Sequence, residues 1–116
     1  MHKLIILIES FADAHAFENL WPDFLARAEA MPGLRRETTS WPGGMIYGDV
    51  QIELIHELYF DSQEALKQAM ESPPGQAAGQ MLQRLTAGKM TLLIAHHLED
   101  ELENIRPYRE AHHDPQ

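Results

Sequence analysis

Glu57, His96 and His97 are the side chains whose types could move protons on an otherwise apolar strand surface. A carboxylate with apolar neighbours has its pKa raised and can serve as a general base or hydrogen-bond acceptor. Histidine titrates near neutrality without such help. His96 and His97 are adjacent, so in a strand they point to opposite faces and cannot both bind one metal within a chain. Whichever of them faces a cleft could act as acid or base, or ligate haem iron. Trp41 and Tyr47 flank a glycine-rich loop. With Tyr59 they could form an aromatic wall for an apolar ligand, and Glu53 shares the strand face of Glu57 and Tyr59.

Each of these groups also has a structural reading. Glu57 could pair with Arg35, Arg36 or a backbone amide, since ion-pair networks perturb carboxylates too. His56, between Leu54 and Leu58, reads as a neutral, hydrogen-bonded core histidine. The histidine away from the cleft would be a polar edge residue. The aromatic residues could pack in a dimer interface, where such side chains are enriched. His112 and His113 sit in a polar tail and read as solvated.

Composition narrows the classes. The chain has 116 residues, 44% of them hydrophobic and 23% charged, in keeping with one globular domain. It contains no cysteine, which excludes disulfides, a thiolate nucleophile and cysteine-bound metal or iron–sulfur centres. The net charge of −9 argues against nucleic acid and anionic membrane surfaces as partners. The opening run Leu4–Ile8 is too short to span a membrane or to serve as a signal peptide. It reads as a buried strand, and the chain as cytoplasmic.

The elements that must position these groups follow from periodicity. Residues 2–9 form a strand covered on both faces. Asp13 can cap a helix whose stripe is Phe17, Leu20, Trp21, Phe24, Leu25 and Ala28. Pro22 should kink that helix or split off its first turn, and Met31-Pro32-Gly33 should stop it. Residues 34–41 read as a polar edge strand. Residues 51–60 form a strand with Ile52, Leu54, His56, Leu58 and Phe60 on one side and Gln51, Glu53, Ile55, Glu57 and Tyr59 on the other. Asp61 and Glu64 have capping-box spacing. The helical stripe after them is interrupted at Pro73-Pro74-Gly75 and ends near Gly88, a C-cap candidate. Residues 89–97 form the last strand. A domain over 1–98 and a charged tail over 99–116 follow, with Leu102, Ile105 and Tyr108 at the spacing of a helical turn.

The order β-α-β-β-α-β is the ferredoxin-like arrangement of the α+β class, an antiparallel sheet with helices on one face. If helices cover Leu4, Ile6, Ile8, Leu54, Leu58 and Phe60, then Ile5, Leu7 and Ile55 lie on the open face. Either Leu92 and Ile94 or Leu93 and Ala95 join them. Each large aliphatic side chain gains about 1.5–3 kcal/mol on full burial, so this face should be covered by a second copy of the sheet.

Several segments resemble the EthD-like family of the dimeric α+β barrel superfamily: HKLIILIE, MPGLRR at the first helix end, LIHELYFDSQEAL and GQAAGQMLQRLTAG. The likeness spans roughly residues 1–97, and Glu57 and Phe60 stand at the family's characteristic positions. It implies a homodimer through the sheet faces. The family is named for a protein needed in bacterial ether degradation alongside an oxygenase system. Wider relatives include cofactor-free monooxygenases, isomerases, polyketide-tailoring enzymes and haem-handling enzymes. Many carry a histidine late in the first helix where this chain has Phe24, so that residue's role does not transfer.

The reading that results is a dimer binding or transforming a small apolar, polyketide-like or ether-like compound in a cleft by the sheet face, without a cofactor. Acid–base work would fall to Glu57 with His96 or His97, and ligand contact to Trp41, Tyr47, Glu53 and Tyr59. The rivals are a non-catalytic dimeric binding module and a haem-binding protein.

Overall fold

The computed structural model describes residues 1–104. The elements run β1 (His2–Ile8), α1 (Ala16–Glu29), β2 (Arg36–Ser40), β3 (Leu54–Phe60), α2 (Gln63–Glu71), α3 (Pro73–Thr86) and β4 (Met90–His96). The four strands form one sheet in the order β2-β3-β1-β4, every neighbouring pair antiparallel. The architecture is thus the ferredoxin-like α+β fold expected from the hydrophobic periods.

The strand parity read from sequence holds. Leu4, Ile6, Ile8, Leu54, Leu58 and Phe60 face the helices, none more than 6% exposed. With Trp21, Phe24, Ala28, Met31, Leu66, Leu82 and Leu85 they form one core. β1 aligns Ile6 with Leu92 and Leu4 with Ile94, so those two β4 residues lie on the helix side and Leu93 and Ala95 on the open side. Leu92, Leu93 and Ile94 are nonetheless 43–47% exposed, because β4 is an edge strand that the helices do not reach across.

Local chemistry departs from expectation at the caps. α1 runs unbroken through Pro22, whose ring lies on the solvent side. A missing amide costs least where water can serve the freed carbonyl. Asp13 accepts a hydrogen bond from the His15 amide, one turn before the helix, and His15 rather than Asp13 occupies the cap. Ser62, not Asp61, caps α2 by accepting from the Ala65 amide at 3.0 Å, and Asp61 instead meets Arg35 at the surface. α3 ends on Ala87, which takes the left-handed conformation (φ 51°) one residue before Gly88 (φ 83°). β3 begins at Leu54, so Gln51, Ile52 and Glu53 belong to the preceding loop.

Ser72 joins α2 to α3 and serves both, its hydroxyl donating to the Ala69 carbonyl and accepting from the Gly75 amide. The helices meet so closely that a Cβ on Gly75 would stand 2.1 Å from the Ala69 oxygen. The expectations for Ile105, Tyr108, His112 and His113 lie outside the described residues. No helix among the described residues is long and apolar enough to cross a membrane.

Candidate functional site

The open sheet face carries Lys3, Ile5 and Leu7 from β1, Arg36 and Thr38 from β2, Ile55, Glu57 and Tyr59 from β3, and Leu93 and Ala95 from β4. Lys3 and Glu57 form an ion pair diagonally across the two central strands. Each is only 17% exposed, so the charges are held largely out of water. The hydrogen bond to Glu57 raises the Lys3 pKa above its ordinary value against the opposing effect of burial. Glu57 therefore takes its cation from β1, and neither Arg35 nor Arg36 serves it.

Tyr59 is buried although it lies on this uncovered face. The Arg36 guanidinium sits 4.9 Å from its ring centre and the Lys3 ammonium 5.3 Å. His97 meets the ring edge-on at 4.9 Å. Cations over an aromatic face are attracted by its quadrupole, the more strongly where water is excluded. The chain after β4 makes this cover: the His97 amide bonds the Met1 carbonyl at 2.8 Å, and Glu99 reaches Arg36 on the far edge strand. That contact holds the Glu99 carboxyl below the usual range. The segment thus crosses one end of the face from β4 towards β2. His97 Nε2 and Thr38 Oγ1 are shielded from solvent there with no hydrogen-bond partner among the described residues. The Nε2 turns toward Glu99 at 3.7 Å. The described residues contain no cluster of three or more His, Asp or Glu that could hold a metal ion.

His96 points the other way and stacks on His2, ring centres 4.9 Å apart. Of the two adjacent histidines, His97 is the one against Tyr59. Trp41 turns to the helix side and packs edge-on against Phe17 at 5.2 Å. Tyr47 stands almost fully exposed on the loop. Trp41, Tyr47 and Tyr59 therefore do not gather into one wall within a subunit. Glu53, with Met45, Val50, Gln51 and Ile55, lines an open pocket of about 430 Å³ beneath the loop. Glu57 is not part of its lining.

A second cavity, of about 230 Å³, lies between the helices and the covered face of the sheet. Leu4, Ile6, Phe24, Leu58, Met70 and Leu92 are among its walls, and Gln76 is its one polar side chain. Phe24 helps make this wall apolar. Beside the same core, His56 is fully buried, with Nδ1 2.9 Å from Thr39 Oγ1 and Nε2 3.2 Å from Glu37 Oε2. Burial drives the His56 pKa down to about 4, so the ring is neutral. Burial and the neighbouring Glu29 carboxylate push Glu37 up to about 7. Sequence reasoning singled out His56 as a core histidine but missed Glu37 and Thr39. Their parity on β2 was the available signal, since every second residue of that strand must face His56 or its neighbours.

The strand order and one-sided helix layer define a ferredoxin-like α+β protein. No family model and no curated protein sequence matches the chain. Among solved structures, an ethyl tert-butyl ether D (EthD) family protein from Bacillus halodurans C-125 superposes with a TM-score of 0.75 at 30% identity, covering 84% of this chain and 99% of that one. The chain belongs to the EthD family. It also superposes on a dimeric ferredoxin-like protein of unknown function from Jannaschia (TM-score 0.67, 16% identity, 83% and 98% covered). A further match is SnoaB, a cofactor-independent oxygenase from Streptomyces nogalater (TM-score 0.58, 14% identity, 87% and 96% covered). At those identities the likeness is one of fold.

Proposed function

We propose that the chain works as a homodimer, joined through the open faces of its two sheets, and takes up a small apolar molecule in the cavity between its helices and its sheet. The observation that carries this reading is the cavity itself. At about 230 Å³ with a single polar side chain in its lining, it exceeds the roughly 150 Å³ apolar cavities that stay dry and hold benzene. Such a site recognises shape and apolar surface rather than charge. No titratable group lines it, so uptake, rather than acid–base turnover, is what its walls supply. The dimer reading rests on Ile5, Leu7, Ile55 and Leu93 on one uncovered face, and it agrees with the dimers named among the structural neighbours. Membership of a family named for ether degradation fits an apolar guest of modest size.

The test is titration with an uncharged apolar dye such as N-phenyl-naphthylamine. Saturable fluorescence enhancement at one site per subunit is expected. Ala78→Leu, which fills the cavity from α3, should abolish it. Equal enhancement in that variant would place the dye elsewhere and remove the cavity from the function.

A second reading assigns proton transfer to Glu57 and His97 on the open face, with Tyr59 positioning the substrate. Its support is two shielded polar atoms with no hydrogen-bond partner among the described residues, Oγ1 of Thr38 across from Glu57 and Nε2 of His97 against Tyr59, since each such atom calls for an explanation and a bound polar group is one. Under it, Glu57→Gln and His97→Asn each abolish consumption of phenolic or ether compounds followed by mass spectrometry, assayed at a protein concentration where light scattering shows each variant dimeric. Undiminished consumption would return both residues to structural roles.

A further inference from the structure

The loop joining β2 to β3, residues 41–53, carries Met45, Ile46, Tyr47 and Val50 at 47–104% exposure. Among the described residues of its own subunit nothing buries them. On the opposite edge of the sheet, β4 displays Leu92 and Ile94 to solvent on the helix side. Leu92, 43% exposed, also lines the apolar cavity, so the cavity reaches solvent beside that edge. One sheet edge thus has apolar side chains on a projecting loop, and the other has an apolar surface that the described residues leave uncovered.

A twofold axis that stacks two sheets face to face must lie in the plane between them. If it runs along the strands, it carries β2 of one copy over β4 of the other and leaves the two ends of the sheet where they were. The loop leaves β2 after Ser40, beside Ile55, at the end of the sheet where β1 reaches Ile8 and β4 begins at Met90. The partner's loop therefore arrives at the Met90–Leu92 end of β4. Facing sheets lie about 10 Å apart. Thirteen residues folded back on themselves extend roughly 20 Å, enough to cross that gap and turn around the edge. Charge agrees with apolar match: the loop's ionisable groups are acidic, Asp49 and Glu53 besides Tyr47, and Lys89 stands exposed at the start of β4. The other axis, running across the strands, would lay β2 over β2 and leave Leu92 and Ile94 bare.

We infer that the loop 41–53 of one subunit wraps the β4 edge of its partner, seating Ile46 and Tyr47 against the partner's Leu92 and Ile94 and closing the mouth of the partner's cavity. The ligand site is then completed by the second copy. This rests on the face-to-face dimer proposed above.

The chain has no cysteine, so introduced pairs report without background. Ile46→Cys with Leu92→Cys should oxidise to a covalent dimer that runs at twice the monomer mass without reductant, while each single variant stays uncross-linked. The same variant under reducing conditions should remain a dimer by light scattering. A non-covalent dimer whose double variant gives no cross-link, or an internal one, overturns the placement of the loop while leaving the dimer standing. A monomer by light scattering in the unsubstituted chain removes the dimer and the loop placement together. Replacing Met45, Ile46 and Tyr47 by serine should weaken dye binding about tenfold or more with the dimer retained. Unchanged affinity would show that the cavity needs no lid from its partner.

Discussion

His56 Nε2 lies 3.2 Å from Glu37 Oε2, with the imidazole fully buried and the carboxyl side chain 28% exposed. The two groups are shifted in opposite senses. Burial lowers the histidine from 6.5 to about 4, and burial together with Glu29 raises the carboxyl from 4.5 to about 7. The neutral forms of both are therefore favoured in the fold, with Thr39 holding the other ring nitrogen. The pair joins β2 to β3 beneath Trp21 and Phe24, whose rings meet the imidazole edge-on at 5.2 and 5.9 Å.

Opposite shifts give opposite pH slopes. For His56 the unfolded chain binds the proton more tightly, so its contribution is complete above pH 6.5 and is lost as pH falls through about 4. For Glu37 the folded chain binds the proton more tightly, so its contribution is complete below pH 4.5 and is lost as pH rises through about 7. Between pH 4.5 and 6.5 the two largely cancel. Denaturant unfolding of Glu37→Gln should then show stability rising across that window relative to the unsubstituted protein, by up to about 3 kcal/mol from the histidine. His56→Gln should show the reverse slope. Parallel pH curves for all three proteins would mean that neither group titrates differently on folding.

Gly75 should tolerate no side chain. A Cβ there would stand 2.1 Å from the Ala69 oxygen and 2.7 Å from the Met70 oxygen, both backbone atoms that cannot rotate away. Gly75→Ala must push α2 and α3 apart at Ser72, at a cost of roughly 1–3 kcal/mol or more by analogy with overpacked cores. Ala87→Gly should act in the opposite sense, relieving a left-handed alanine (φ 51°) by up to about 1 kcal/mol. Thermal melts check both, and a Gly75→Ala melting temperature equal to the parent's would show that the junction has slack.

Much of this fold was legible in the sequence because two periods do most of the specifying. Alternation in Leu4, Ile6, Ile8 and in Leu54, Leu58, Phe60 named the covered face, and the stripe from Phe17 to Ala28 named the helix that covers it. Caps were less legible, since Asp13, Asp61 and Gly88 each have a neighbour able to take the same role, and tertiary packing chose His15, Ser62 and Ala87. The site was legible only in part. Parity placed Glu57 and Tyr59 together and left His96 and His97 open, because register decides between adjacent residues and sequence does not print register. Lys3 went unnoticed as the partner of Glu57, although its parity with Ile5 put it on the same face. The apolar cavity had no sequence signal, for it is a gap between side chains that all read as core.

The Lys3–Glu57 pair should matter more to assembly than to the fold of one subunit. At 17% exposure the pair keeps some contact with water, and a second sheet laid on this face would complete its desolvation. Removing one member leaves a buried charge unpaired, whereas replacing both by apolar residues does not. Sedimentation equilibrium should show Lys3→Met weakening the dimer by tenfold or more, about 1.4 kcal/mol. The double variant Lys3→Met with Glu57→Leu should restore it. A dimer indifferent to Lys3→Met would mean that the pair stays hydrated at the rim.

Leu93 offers the most direct test of the covered face. It projects from β4 on the open side, opposite Ile5, and is 47% exposed in the single subunit. Its side chain takes no part in the helix-packed core, so an aspartate there leaves the subunit's own packing intact. In a face-to-face dimer the same substitution acts twice. Each copy forfeits part of the 1.5–3 kcal/mol that a large aliphatic side chain gains on burial, and each drags a carboxylate toward an apolar surface. A loss of about 3 kcal/mol or more corresponds to a dissociation constant raised roughly a hundredfold or beyond. Leu93→Asp should therefore elute as a monomer at micromolar concentration while retaining the parent's circular dichroism. If it remains a dimer of unchanged affinity, the subunits do not meet through this face, and the aliphatic side chains of the open face need another cover.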